Sequence, residues 1–220
     1  MLSLKRLDVA GYKNQKVPNM YFDFNSDQIA IFLPGLGYSN DSPILYYTGS
    51  YLIQKEINIL RVDYKYYECD NYLKSTKDEQ KQWLIEDVNA MVETVLSGQN
   101  FKRIILIGKS LGTMALGEIL LIKRNLKDAE VIWLTPLLND EELLQQILKI
   151  NNRSLLIMGT NDSRYNEDIL KKVLEKKNIE SLIIDGANHQ LDIENNIFKS
   201  INEAKNILSK IISFVDAQKK

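Results

Sequence analysis

The sequence contains little of what disulfides, metal sites and other cofactor sites require. Its 220 residues include one cysteine, Cys69, and one histidine, His189. A lone cysteine cannot form an internal disulfide, which agrees with a reducing compartment. One cysteine and one histidine far apart in the chain supply no zinc ligand set, and the carboxylates lack the spacing of a calcium loop. We therefore expect neither a metal nor another cofactor.

Long apolar runs and an excess of charge of either sign are also missing. No stretch reaches the roughly eighteen apolar residues of a membrane span. Residues 1–25 mix charged and apolar side chains, unlike the apolar centre of a signal peptide. Lysine and arginine total 28 against 29 aspartate and glutamate residues, so the basic excess typical of a nucleic-acid-binding protein is absent. These absences favour a cytoplasmic protein with no membrane span and no nucleic-acid partner, and they leave the oligomeric state open.

Short apolar runs alternate with longer helical patterns along the chain. The runs predicted to be buried strands cover residues 28–33, 57–62, 103–107, 129–134, 154–158 and 181–184, and the helical patterns cover 44–55, 77–97, 113–123, 141–150, 166–176 and 197–214. Segments 4–9 and 20–24 are predicted to form an antiparallel pair of edge strands. Strands that alternate with helices are typical of the α/β class, with a mostly parallel, doubly wound sheet. No linker or repeat divides the chain, so we predict one domain over residues 1–220.

The motif GKSLG at residues 108–112 places Ser110 between a predicted strand and a predicted helix. Such a turn lifts a serine hydroxyl above the edge of the sheet and holds its backbone in a strained conformation. The flanking glycines are expected because a side chain at either position would collide with the neighbouring strand or helix. The spacing alone is a weak signal, but its place between strand and helix indicates a nucleophile.

Two further loops carry an acid and a base. Functional groups in an open α/β sheet gather beyond the carboxyl ends of the strands, and Asp162 and His189 follow the last two predicted strands. A neutral imidazole can take the proton of a serine hydroxyl, and a carboxylate can hold that imidazole in the required tautomer. We therefore predict Ser110, His189 and Asp162 as nucleophile, base and acid. Asp140 and Asp185 are the competing candidates for the acid.

Acyl transfer also needs two hydrogen-bond donors for the oxyanion, and backbone amides suit this role because they do not titrate. Leu111 follows the serine at the start of a helix and is predicted as one donor. Leu36 follows Gly35 in the loop after the first parallel strand and is predicted as the other. Gly35 and Gly37 do not form a dinucleotide-binding fingerprint, because that pattern requires a third glycine where the chain has Asn40.

Together these motifs resemble the α/β-hydrolase superfamily, especially its small members without a large cap, such as dienelactone-hydrolase-like proteins and short-chain esterases or thioesterases. The resemblance spans nearly the whole chain and rests on the elbow at 108–112, the acid turn at 159–162 and the histidine loop at 186–191. It implies the same three catalytic side chains and the same two backbone donors. Many members carry His-Gly before the first donor, whereas this chain has Pro34-Gly35, which removes a side chain able to brace that loop.

Three features allow two interpretations each. Lys109, inside the elbow, either favours an anionic group of the substrate or faces solvent. Segment 136–150 holds one amphipathic helix that either roofs an acyl pocket or packs on the sheet. Several tyrosines either line a pocket wall or serve as packing residues, and they lie at positions 46, 47, 51, 64, 66, 67 and 72.

The sequence thus predicts a serine hydrolase that acts on a small carboxylic ester or thioester through an acyl-enzyme. An acyltransferase would use the same serine with an acceptor other than water, and sequence cannot separate the two. A non-catalytic protein of this fold would instead bind a small ligand or a protein partner, because one fold hosts unrelated functions. The presence of serine, aspartate and histidine in the expected chain order argues against that alternative.

Overall fold

An eight-stranded sheet forms the centre of the protein in a computed structural model, which describes residues 2–217. Its strands are β1 (Ser3–Lys5), β2 (Asn19–Asp23), β3 (Gln28–Leu33), β4 (Asn58–Val62), β5 (Arg103–Lys109), β6 (Glu130–Leu134), β7 (Ser154–Gly159) and β8 (Ile179–Ile184). Their spatial order is β1-β2-β4-β3-β5-β6-β7-β8. The strands from β4 to β8 in this order are parallel, and β1 and β2 join antiparallel at one edge. The predicted α/β class is confirmed.

Helices cover both faces of this sheet. They are α1 (Pro43–Gln54), α2 (Asp70–Lys74), α3 (Lys77–Gly98), α4 (Leu111–Ile122), α5 (Glu141–Lys149), α6 (Glu167–Leu174) and α7 (Ile197–Asp216), with single 3-10 turns at Tyr12–Asn14, Tyr66–Glu68 and Arg124–Leu126. The six predicted helices are present with ends shifted by at most two residues, whereas α2 and the 3-10 turns were not predicted. The predicted strand 4–9 is wrong beyond residue 5. Within residues 2–217, no helix has the length and apolarity to cross a membrane.

Alternate residues of each central strand face opposite helix layers, as the period of a β-strand requires. In β3, Ile29 and Ile31 belong to the core formed with α3, α4, α5 and α6. Ala30 and Phe32 belong to the core formed with α1 and α7. All four side chains are buried, which explains why a parallel strand is apolar along its whole length rather than at every second residue.

The amino edge of the sheet is joined to the end of α7 by a group of ionic and hydrogen-bonded contacts. Arg103 donates to the Glu130 carboxylate at 2.6 Å and to the carbonyl of Val215. Arg153 donates to the carbonyl of Phe214 at 2.9 Å. The Glu130 side chain is only 7% exposed. Two cations therefore stabilise the carbonyl end of α7, where the helix dipole is negative, at the edge opposite the site described next.

Candidate active site

Ser110 lies on a sharp turn between β5 and α4. Its backbone has φ 49 and ψ -113, a left-handed conformation that costs energy for a residue with a side chain. A Cβ atom at Gly112 would lie 2.1 Å from the carbonyl oxygen of Leu33, and one at Gly108 would lie 2.9 Å from the Leu116 side chain. The steric reason predicted for both glycines is therefore confirmed, and the turn brings the serine hydroxyl to the carboxyl edge of the sheet.

Three side chains from distant parts of the chain meet at this edge. His189 Nε2 lies 2.7 Å from Ser110 Oγ, and His189 Nδ1 lies 2.8 Å from Asp162 Oδ2. The Asp162 side chain is fully buried, whereas that of His189 is 30% exposed. When the Asp162 carboxylate accepts a hydrogen bond from Nδ1–H, Nε2 is unprotonated and can accept a hydrogen bond from the serine hydroxyl. The geometry suits proton transfer from Ser110 to His189, and the roles of nucleophile, base and acid stay predictions.

Of the three candidate acids, only Asp162 contacts the imidazole. Asp140 caps α5, because its Oδ1 accepts from the backbone amide of Leu143 at 2.9 Å. Asp185 is exposed and accepts from the hydroxyl of Thr160 at 3.1 Å. Both competing carboxylates therefore make local structural contacts, and neither contacts His189.

The loop of Asp162 and the loop of His189 are fastened to each other. The amide of Asn161 donates to the carbonyl of Ala187 at 2.9 Å, and the amide of Gly186 donates to the Thr160 hydroxyl at 2.8 Å. A Cβ atom at Gly159 would lie 2.1 Å from the Ala187 carbonyl oxygen. This close approach requires glycine at the end of β7. Together with the two hydrogen bonds, it fixes the position of the Asp162 loop relative to the His189 loop.

The two predicted oxyanion donors belong to two segments next to the serine. Leu111 is the first residue of α4, where backbone amides lack helical partners and the helix dipole favours negative charge. A Cβ atom at Gly35 would lie 3.3 Å from Ser110 Cβ, so the loop after β3 passes directly beside the serine. Leu36 follows in that loop with its side chain 40% exposed. Their donor role stays a prediction.

Tyr64 supports the loop after β3, where the chain has Pro34 in place of the histidine found in many members of the family. Its hydroxyl donates to the carbonyl of Pro34 at 2.6 Å. Burial raises the pKa of Tyr64 well above its usual value, so the hydroxyl keeps its proton and can donate. Its ring stacks on Tyr66, which in turn stacks on Tyr72, with ring centroids 4.6 and 4.2 Å apart. The contact joins loops that are distant in sequence, so no local pattern could have revealed it.

A cavity of about 340 Å³ opens beside the same loop. Its walls include Pro34, Gly35, Arg61, Tyr64 and Tyr67. Tyr64 therefore both packs and lines a cavity, whereas Tyr66 and Tyr72 are packing residues of the buried core. Because Gly35 also lies beside Ser110, the cavity adjoins the loop that would carry one oxyanion donor. Its size suits a small organic molecule.

Lys109, next to the serine, is fully buried, so the interpretation in which it faces solvent is wrong. Its Nζ donates to the Thr135 hydroxyl at 2.6 Å and to the backbone carbonyl of His189 at 2.7 Å. Burial lowers the pKa of Lys109 to about 7, although the charges of Asp162 and Asp192 partly oppose that shift. The ammonium is thus enclosed by protein groups rather than presented to an anionic ligand.

The helix in segment 136–150 packs against its neighbour instead of forming a separate roof. α5 lies against α4, and Gln146 donates to the Glu118 carboxylate at 2.7 Å. The side chains of Leu143 and Ile147 belong to the main core. A Cβ atom at Gly117 would lie 2.3 Å from Gln146 Oε1, so this glycine allows the two helices to approach closely. Of the two interpretations of the segment, the structure favours packing.

A mostly parallel sheet of this order, with a serine on a strained turn after β5, defines the class of α/β-hydrolase folds. The chain belongs to the alpha/beta hydrolase family, since the model of the alpha/beta hydrolase domain matches residues 26–216. The predicted resemblance is therefore confirmed. Within residues 2–217, no group of three or more histidine, cysteine, aspartate and glutamate side chains could hold a metal ion.

Several solved structures share this fold. The Pyrococcus furiosus esterase Pf2001 superposes with a TM-score of 0.73 at 17% identity, over 97% of this chain and 92% of that chain. A cold-adapted esterase from an Arctic intertidal metagenomic library gives 0.70 at 13% identity, over 99% and 93%. A serine hydrolase homologue from Coxiella burnetii gives 0.66 at 14% identity, over 96% and 97%. No curated protein gives a significant match. At such identities the similarity shows the fold alone.

Proposed function

We propose that the protein is a serine hydrolase that cleaves a small carboxylic ester or thioester through an acyl-enzyme. The observation that carries the proposal is the continuous chain of contacts from Asp162 through His189 to Ser110, with distances of 2.8 and 2.7 Å. Serine is a weak nucleophile until an adjacent base takes its proton. The family and the esterases among its structural neighbours agree with this chemistry.

The reaction proceeds in two halves. Ser110 Oγ attacks the acyl carbon while its proton passes to His189 Nε2, and the resulting tetrahedral oxyanion then expels the alcohol or thiol, which takes that proton. Water attacks the acyl-enzyme in the second half, with His189 again as base, and the carboxylic acid leaves Ser110. The Asp162 carboxylate stabilises the imidazolium that forms in each half. No atom beyond substrate and water is consumed.

The backbone amides of Leu36 and Leu111 are proposed to bind the oxyanion. One belongs to the loop that passes beside Ser110 at Gly35, and the other is at the first position of α4. Amides held by the fold need no reorganisation when charge develops on the substrate oxygen, which is why such donors accelerate acyl transfer. Because only backbone atoms take part, the exposed side chain of Leu36 is available to contact the substrate.

A fluorophosphonate probe tests the nucleophile directly. We expect stoichiometric labelling of the folded protein at Ser110, because the hydroxyl has a base within hydrogen-bonding distance. Labelling should disappear in Ser110→Ala and persist in Ser163→Ala, a change at an exposed serine near Asp162. Mass spectrometry of the labelled peptide identifies the site. Folded protein that takes up no label, together with no turnover on a broad ester panel, would contradict the proposal.

The pH dependence of hydrolysis tests the base. We expect kcat/KM for a p-nitrophenyl ester to rise with pH through one histidine-like titration, because only the neutral imidazole can accept the serine proton. Steady-state rates between about pH 5 and pH 8 cover the range in which an unperturbed histidine changes charge. A flat profile over that range would exclude His189 as the base.

The hydrogen bond from Tyr64 to the Pro34 carbonyl allows the effect of removing the tyrosine hydroxyl to be predicted. Tyr64→Phe leaves the Pro34 carbonyl without its donor, so we expect a loss of about 1–3 kcal/mol of folding stability. We also expect kcat to fall about tenfold with little change in KM, because the loop beside Ser110 loses its support. Tyr67→Phe, at an exposed tyrosine of the same cavity, is the matched control. Equal kcat values in the two variants would show that the brace has no catalytic consequence.

A further inference from the structure

One buried lysine side chain, that of Lys109, connects four of the segments that surround the site. Lys109 belongs to the turn that carries Ser110, and its Nζ donates to Thr135 at the end of β6 and to the carbonyl of His189. The same Nζ lies 4.9 Å from the centroid of the Tyr38 ring. Tyr38 belongs to the loop after β3, where its carbonyl accepts from the Gly35 amide at 3.0 Å. Four separate segments therefore converge on one side chain.

We propose that Lys109 is a positioning residue that fixes the histidine loop against the serine turn and, through its positive charge, opposes protonation of the His189 imidazole, which the Asp162 carboxylate favours. This inference rests on the proposed function, because a neutral imidazole matters when His189 acts as a base. Lys109 Nζ contacts the backbone carbonyl of His189 and not the imidazole or the Ser110 hydroxyl, so its effect is transmitted through His189.

The hydrogen bond to the His189 carbonyl supplies the positioning. The imidazole must keep two contacts of 2.7 and 2.8 Å at once, and a shift of about 1 Å in such a site can cost a hundredfold in rate. The backbone on which the ring is mounted is tied directly to the residue preceding Ser110. Movement of the histidine loop away from the serine would therefore break a partly buried, charge-assisted hydrogen bond.

The charge supplies the second effect. A cation inside the protein disfavours the appearance of another cation nearby, because the interior screens charges less than water does. The charged and titratable groups around Nζ are Asp162 and Asp192, whose charges favour the ammonium, together with Tyr38 and His189. Although burial lowers the pKa of Lys109 to about 7, the ammonium is present below that pH, in the range where an imidazole would otherwise become protonated.

The single histidine makes this inference directly measurable, because the protein has one imidazole to titrate. We expect the NMR titration midpoint of His189 to move upward by about 0.5 to 1 pH unit in Lys109→Met, since the repelling charge is gone. Lys109→Gln removes the charge but keeps N–H donors, so its midpoint should move by a similar amount. Lys102→Met, at an exposed lysine paired with Asp27, is the control and should leave the midpoint unchanged.

Kinetics of the same variants separate the two effects. In both Lys109 variants, the acid limb of the kcat/KM profile should move to higher pH by the same amount as the NMR midpoint. The plateau value should fall further in Lys109→Met than in Lys109→Gln, because only glutamine can still donate to the His189 carbonyl. A residue that served folding alone would lower the amount of active protein and leave the midpoint where it was.

The outcomes distinguish this inference from the proposed function. A shifted imidazole titration in a protein that hydrolyses no ester would support the coupling of Lys109 to His189 and refute the hydrolase proposal. Hydrolysis with an unshifted titration in both variants would overturn the role of Lys109. If neither variant folds, NMR titration of both groups in the unaltered protein decides: a Lys109 Cε shift that responds to the titration of His189 supports the inference, and two independent titrations contradict it.

Discussion

Replacing Ser110 with alanine should lower kcat for ester hydrolysis by at least about ten-thousandfold, since loss of the proposed nucleophile would remove the covalent route altogether. The residual rate would come from the oxyanion donors and from substrate binding. Stability should change little or rise, because Ser110 N–H already donates to the Leu134 carbonyl at 2.9 Å and that backbone contact survives the change. Stopped assays with high enzyme concentrations and thermal unfolding of the same samples measure both quantities.

Ser163→Ala is the matched control for this result, since it removes a hydroxyl from an exposed position close to the site. It should retain the activity of the unaltered protein within a factor of about two, as expected for a surface substitution. Undiminished hydrolysis in folded Ser110→Ala would mean that another group performs the attack. Undiminished ligand binding with no turnover in either protein would favour a binding function instead.

Replacing Asp162 with asparagine should lower kcat by about a thousandfold to ten-thousandfold while the fold persists. The reason lies in the second oxygen of the carboxylate. Asp162 Oδ1 accepts from the backbone amide of Arg164 at 2.8 Å, so an asparagine at this position keeps its oxygen there and turns its NH₂ group toward His189 Nδ1. The imidazole must then carry its proton on Nε2, where it cannot accept the proton of Ser110.

The two other acidic candidates supply controls of identical chemistry. Asp140→Asn preserves the cap of α5, because asparagine caps helices as well as aspartate does, and Asp185→Asn keeps an acceptor for Thr160. Both variants should keep kcat within a few-fold of the unaltered protein. A loss of kcat in Asp185→Asn as large as that in Asp162→Asn would show that Asp162 had been wrongly assigned as the acid. The NMR signal of the single histidine reports the tautomer in each case.

The strands were predictable because a parallel sheet imposes a strong local signature. Strands such as β3 and β7 are buried on both faces, so apolar residues fill them without interruption. The short helix α2 has five residues, which is too few for a helical period to show in the sequence. The spatial order, with β4 between β2 and β3, depends on contacts between distant segments and left no local pattern.

The residues of the site also differed in how far the sequence could predict their roles. Ser110, Asp162 and His189 could be proposed from their positions after strands, because the carboxyl ends of parallel strands meet at one edge. Lys109 and Tyr64 could not, since the partners of their polar groups are Thr135, the His189 carbonyl and the Pro34 carbonyl. A lysine in a polar motif is ordinarily solvated, and only the assembled fold shows that this one is enclosed.

The contacts of Arg103, Glu130 and Arg153 with the end of α7 have a consequence for protein engineering. β5 begins at Arg103 and ends just before Ser110, so a strand about 20 Å long separates these contacts from the edge of the sheet that carries Ser110. Substitutions at these contacts lie far from Ser110, so we expect their effects on stability to be independent of effects at the proposed site. A variant stabilised by strengthening the contacts of Arg103 and Arg153 is therefore expected to leave the proposed site unchanged, whereas substitutions within such a site usually exchange activity for stability.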